Sequence, residues 1–100
     1  MRIAIPFIKG RLAASFKDCE QFYIIETVNH EIKEQRLLTP PLMELWLLPH
    51  WLQEHNVDII IVGNANERSI GVIQKAGIKV ISGAPDLTPE ELIHKFITDT

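Results

Sequence analysis

Val57–Ala84 reads VDIIIVGNANERSIGVIQKAGIKVISGA, and this stretch decides the fold. Asp58–Val62 is a continuous apolar run after one acid, as a strand covered on both faces requires. Gly63 breaks the run. Asn64 is a good N-cap, and Glu67 stands three residues later as in a capping box. Ile70, Ile73 and Ala76 follow at helical spacing. Gly77 sits where a helix ends in a left-handed residue. Ile78–Ile81 is a second strand, and Ser82-Gly83 turns away from it. Strand, helix, strand over this length makes a parallel pair with a right-handed crossover. Open parallel sheets bind ligands at the carboxyl ends of their strands, so the turn Gly63–Asn66 is the first candidate site.

Working outward, the N-terminal Arg2–Ile5 is a short apolar strand, expected to end at Pro6, which donates no ladder bond. Phe7–Ser15 reads as a loop bent at Gly10. Gln21–Val28, QFYIIETV, is aromatic and β-branched and reads as a strand. Asn29-His30 makes a two-residue turn. Glu31–Leu38, EIKEQRLL, returns as a polar strand whose charges suit an edge and discourage pairing with other chains. Pro49 fits the first turn of a helix running to about His55, with Asn56 as its stop. Thr88 caps a last helix, with Pro89 in its first position, Glu91 completing a capping box and Leu87 stapled to Leu92.

Five strands and three helices then make one α/β domain over residues 1–100. The first strand lies beside the fourth and the fourth beside the fifth, all parallel. The hairpin of strands two and three adds on the other side. Numbered along the chain, the mixed five-stranded sheet has order 3-2-1-4-5, with strand 2 antiparallel to strand 1 and helices packed against the sheet.

Composition sets the remaining bounds. Hydrophobic residues make up 46% and charged residues 23%, as in an ordinary globular protein. Net charge is −3 with no basic run, so nucleic-acid binding has no electrostatic footprint. One cysteine, Cys19, excludes a disulfide within the chain and suits a reducing cytoplasm. MRIAIPF is not a signal peptide, and no apolar run approaches the roughly 20 residues of a membrane span. The expected location is the cytoplasm.

MRIAIPF, GRLAASF, CEQFYIIE, LLPHWLQEHNVDIIIVG and AGIKVISGA together resemble the dinitrogenase iron–molybdenum cofactor-binding family, over roughly Met1–Phe96. The resemblance implies a ribonuclease-H-like three-layer domain with a mixed five-stranded sheet. It also implies a nitrogenase-associated, non-catalytic carrier of an iron–molybdenum or iron–sulfur cluster. Members commonly have a Ser-x-His-Phe-Gly-Arg-like loop where this chain has Ala13–Asp18. They often have Gly-Gly-(Ile or Met)-Gly where this chain has Gly63-Asn64-Ala65-Asn66. Leu47-Leu48-Pro49 is kept, but Trp46 replaces the glycine before it.

The candidate ligand-binding residues are Lys9, Arg11, Ser15, Gly63, Asn64, Asn66 and Arg68. Helix-end donors and nearby cations favour an anion. The alternative is an ordinary cap beside solvated charges. No Gly-x-Gly-x-x-Gly and no Walker lysine points to a nucleotide. The metal candidates are Cys19 and His50, at no known ligand spacing. The alternatives are a buried small thiol and a helix-surface histidine. Leu42–Leu52 concentrates leucines and both tryptophans. Met43, Trp46, Leu47 and Trp51 are therefore interface candidates, for a homodimer or a docked partner without any metal, unless they fill the core. Asp18, Asp58 and Asp86 are scattered, so ribonuclease-type two-metal chemistry is not expected. No catalytic residue emerges.

Overall fold

The computed structural model describes residues 1–9, 11–12, 19–41, 45–63, 67–85 and 87–99. Its strands are β1 (Arg2–Ile8), β2 (Arg11–Leu12), β3 (Gln21–Val28), β4 (Glu31–Leu38), β5 (Ile59–Ile61) and β6 (Lys79–Ile81). Its α-helices are α1 (Leu48–Glu54), α2 (Glu67–Gln74) and α3 (Pro89–Asp99), and a 3₁₀ turn over Leu45–Leu47 leads into α1. The sheet runs β4-β3-β1-β5-β6, with β2 pairing off β1. With the two-residue β2 set aside, this is the expected order 3-2-1-4-5. β1 is parallel to β5 and β5 to β6, while β3 is antiparallel to both β1 and β4.

Two layers of side chains form the core. Ala4, Phe22, Ile24, Ile60 and Val62 face Leu48 and Leu52 of α1 and Ile73 of α2. Ile3, Ile5, Ile25, Ile59 and Ile61 face Leu92 and Ile93 of α3. The continuous apolar run of β5 follows from this, because α1 and α2 cover one face and α3 the other.

The turn and cap signals act as their chemistry dictates. Asn29 and His30 take φ of 52° and 65° between β3 and β4, the left-handed pair that matches strand twist. Asn56 takes φ 57° after α1. The Val57 amide donates to the Leu52 carbonyl at 3.1 Å and the Asn56 amide to the Gln53 carbonyl at 2.9 Å, which is a Schellman ending. Gly77 ends α2 with φ 84°. At α3 the Glu91 amide donates to Thr88 Oγ1 at 3.2 Å, and the Thr88 amide donates to Glu91 Oε1 at 3.3 Å. Leu87 and Leu92 share one apolar cluster, as a staple requires. The cap expected at Asn64 lies outside the described residues.

Two expectations change. Pro6 does not end β1, which continues to Ile8. Met1 and Thr27 exchange backbone bonds of 2.8 Å in both directions. Alternation along this antiparallel pair then leaves Pro6, opposite Phe22, at a position that makes no bond to β3. Its nitrogen faces β5 instead, and there pairing stops after Ala4↔Ile60. The proline truncates one ladder and spares the other. The segment after it is also not simply a loop. Ile8 pairs with Arg11 in a tight hairpin in which Lys9 has φ 52°.

Candidate functional site

The carboxyl ends of β1 and β5 lie side by side, because the two strands are parallel with Ala4 opposite Ile60. Lys9 follows β1 as an exposed residue. Gly63 follows β5 and is buried. Its carbonyl accepts from the Gly83 amide at 2.9 Å, and the Val62 carbonyl accepts from Ala84 at 3.1 Å. The β5 and β6 exits are thus tied together just beyond the strands. Gly83 has φ 75°, which suits glycine. Arg68 is exposed in the first turn of α2. Arg11 is described by its backbone alone, opposite Ile8 in β2. Ser15, Asn64 and Asn66 lie outside the described residues. The acids Glu20 and Glu67 are exposed at the same end, so the rim carries both signs.

Cys19 also belongs to this end. The Glu20 amide donates to the Phe7 carbonyl at 3.0 Å, and Cys19 Sγ donates to the Gln21 carbonyl at 3.1 Å. The thiol packs against the core face shared by Phe22 and Leu52. Its burial pushes the thiol pKa up to about 11, against the hydrogen bonds near Phe7 and Gln21 that lower it. A thiol so protonated at neutral pH is a poor free nucleophile and must lose its proton to bind a metal.

His50 is exposed on α1, and its Nε2 is 3.1 Å from Glu54 Oε1 one turn on. Among the described residues, no group of three or more His, Cys, Asp or Glu side chains could hold a metal ion. Also among the described residues, no helix is long and apolar enough to cross a membrane.

The leucine- and tryptophan-rich segment divides. Leu48 and Leu52 are buried in the core. Trp51 packs on Phe22 with ring centroids 5.3 Å apart and on His55 at 4.7 Å. Trp46 is 69% exposed and Leu47 is 37% exposed. Met43 lies outside the described residues.

One organising residue had no sequence signal. Arg2 donates from Nε to Glu26 Oε2 at 3.1 Å and from Nη1 to the His55 carbonyl at 2.9 Å. It thereby fixes the end of α1 beside the start of the sheet. Its partners lie 24 and 53 positions away, beyond the reach of local pattern. Because α1 ends at that pole, its start points toward the opposite, carboxyl pole.

An open α/β sheet with a parallel centre, an antiparallel ribbon on one side and helices on both faces is the class defined by this geometry. The chain belongs to the dinitrogenase iron-molybdenum cofactor family, which it matches over residues 1–99. MJ0580 of Methanocaldococcus jannaschii, an uncharacterized protein, is 28% identical over 102 residues, spanning 97% of this chain and 86% of the relative. The crystal structure of PH0822 superposes with a TM-score of 0.91 at 22% identity, covering 100% of this chain and 91% of that one. MJ0327, also from M. jannaschii, gives 0.79 at 23% identity, with coverage of 99% and 88%. The apo orange protein of Desulfovibrio gigas gives 0.74 at 18% identity, with coverage of 98% and 88%. At these identities the three structures establish the common fold.

Proposed function

We propose that this protein is a small non-catalytic carrier whose cargo is an anionic metallocluster of the iron–molybdenum or iron–sulfur type. The cargo would dock at the carboxyl ends of β1 and β5. The observation that carries this reading is the family match across residues 1–99, taken with a sheet whose parallel strands end side by side there. Lys9, Arg11 and Arg68 would hold the cargo by charge, together with backbone donors at the start of α2. Cys19 would contribute little, because its half-buried thiol stays protonated near neutral pH. Anaerobic titration with an iron–sulfur or iron–molybdenum cluster, followed by absorption spectroscopy, tests the reading. Binding should saturate, survive C19A and weaken about tenfold in the double variant K9E/R68E. Absence of saturable binding to the unaltered protein would sink it.

Trp46, at 69% exposure, favours a second reading, an interaction module without metal. A partner, or a second copy, would cover Trp46 and Leu47. Assembly unchanged by W46E would count against that reading.

A further inference from the structure

We infer that the free edge of β4 pairs with β4 of a second copy of this chain, antiparallel about a two-fold axis through Gln35. Among the described residues β4 is the last strand of the sheet order, and Glu31–Leu37 are all exposed. Such an edge presents unpaired backbone donors and acceptors. Their direction follows from the ladder. The bonds exchanged by Met1 and Thr27 commit the odd residues of β3 to β1. The even residues therefore bond to β4, at Leu38, Arg36 and Glu34. Gln35 and Leu37 then turn their amides and carbonyls outward.

Charge selects the register. Two copies continuing one sheet are related by an axis perpendicular to it, so each residue of β4 faces a residue of equal parity. An axis through Glu34 would set Glu34 against the second copy's Glu34. An axis through Arg36 would set two arginines together. The axis between these two, through Gln35, sets each Glu34 against the second copy's Arg36. The Gln35 backbones then exchange two hydrogen bonds. The Glu–Arg pairs fall at non-hydrogen-bonded positions, where opposed Cβ atoms are only about 4.5–5.5 Å apart.

Within one chain Arg36 Nη2 already lies 2.6 Å from Glu34 Oε1, and both side chains remain about half exposed. The dimer would therefore close a square of alternating charges. Inward of it, Glu26 lies opposite Glu34 and is balanced by Arg2 at 3.1 Å. Charges that repel an unrelated strand thus accept a copy of themselves. The bulge between Glu26 and Thr27 offsets β4 beyond Glu34, so regular pairing is confined to the stretch around Gln35. Short pairing of this kind belongs with small, transient interfaces of less than roughly 1,200 Å².

Sedimentation velocity of the full chain, over roughly 10 µM to 1 mM, reads the equilibrium directly. A concentration-dependent dimer is expected at low salt, weakening severalfold between about 0.05 and 0.5 M salt. E34R alone and R36E alone should each weaken it about tenfold or more, because both attractive pairs become repulsive. An equimolar mixture of the two variants should associate again, because each pair is then complementary. The double variant E34R/R36E should restore self-association. Unchanged circular dichroism melting would certify that each variant folds. A protein monomeric throughout that range, a dimer indifferent to E34R, or one abolished by W46E but not by E34R would overturn the inference.

Discussion

Cys19 is the single thiol of the chain, and its surroundings keep it protonated. Burial dominates, and the charge of Glu20 adds to it. In the folded protein the thiol pKa is pushed up to about 11, above the ordinary value of 9.0. Alkylation by iodoacetamide should therefore accelerate with a midpoint near pH 11, and denaturant should shift that midpoint down toward 9. The sign for stability follows from the same shift. The neutral thiol is favoured in the fold, so its contribution is complete below about pH 9 and is lost as pH rises through about 11. C19A should flatten that part of the stability–pH curve, as read by urea unfolding. A midpoint near 9 in the native protein would show the thiol to be more accessible than the structure places it. Tyr23 moves in the same direction, its phenol raised by desolvation and by Glu90.

At the scale of elements, the signals that could be read in the sequence are those complete within a few residues. Asn29-His30, Asn56, Gly77 and the Thr88–Glu91 box each carry their own φ preference or hydrogen-bond partner. Each of them functions in the structure as expected. The effect of Pro6 cannot be read locally, because which neighbour its nitrogen faces is set by the register of β1 against β3, and the ladder it truncates belongs to β5, more than fifty positions away. The pairing of β2 has no signal in the sequence, because two residues show no periodicity. The leucine-rich segment could not be divided from sequence, since helical phase alone does not say that Trp46 points away while Leu48 and Leu52 point in. The candidate site was the least legible part. The strand ends could be located, but the placement of Cys19 and Gly63 depends on backbone bonds between separate segments, from Glu20 to Phe7 and from Gly83 to Gly63. Thr88 provides the test at this scale. T88A removes the acceptor of the Glu91 amide and should cost about 1 kcal/mol in urea unfolding. T88S should be nearly neutral, and a neutral T88A would mean the cap is frayed in solution.

At the scale of the whole molecule, the two core layers are unequal. Among the described residues, α1 and α2 share one face, whereas α3 is the one helix on the other, with Leu12, Ala84 and Leu87 packed beside it. Leu52 is fully buried at the centre of the first layer and also accepts the Schellman bond from Val57 through its carbonyl. L52A should therefore destabilise the protein by roughly 2–5 kcal/mol. W46A, at a largely exposed position, should stay within about 0.5 kcal/mol of the unaltered protein. Equilibrium denaturation of the two variants separates the buried part of the tryptophan-rich segment from its exposed part.

The truncated ladder of β1 also bears on how the chain is made. The Arg2 amide is held by an Asp58 carboxylate 56 positions later. β3 and β4 are synthesised before β5, so the antiparallel partners of β1 leave the ribosome while its other side still waits. At roughly 5–20 residues per second, that wait lasts about one to four seconds. During it, one flank of an apolar strand is open to any nascent chain nearby. Pro6 leaves that flank without a donor midway along β1, so a stray strand finds a template only a few residues long. The residue that shortens the native parallel pairing thus also guards the half-made protein against premature partners.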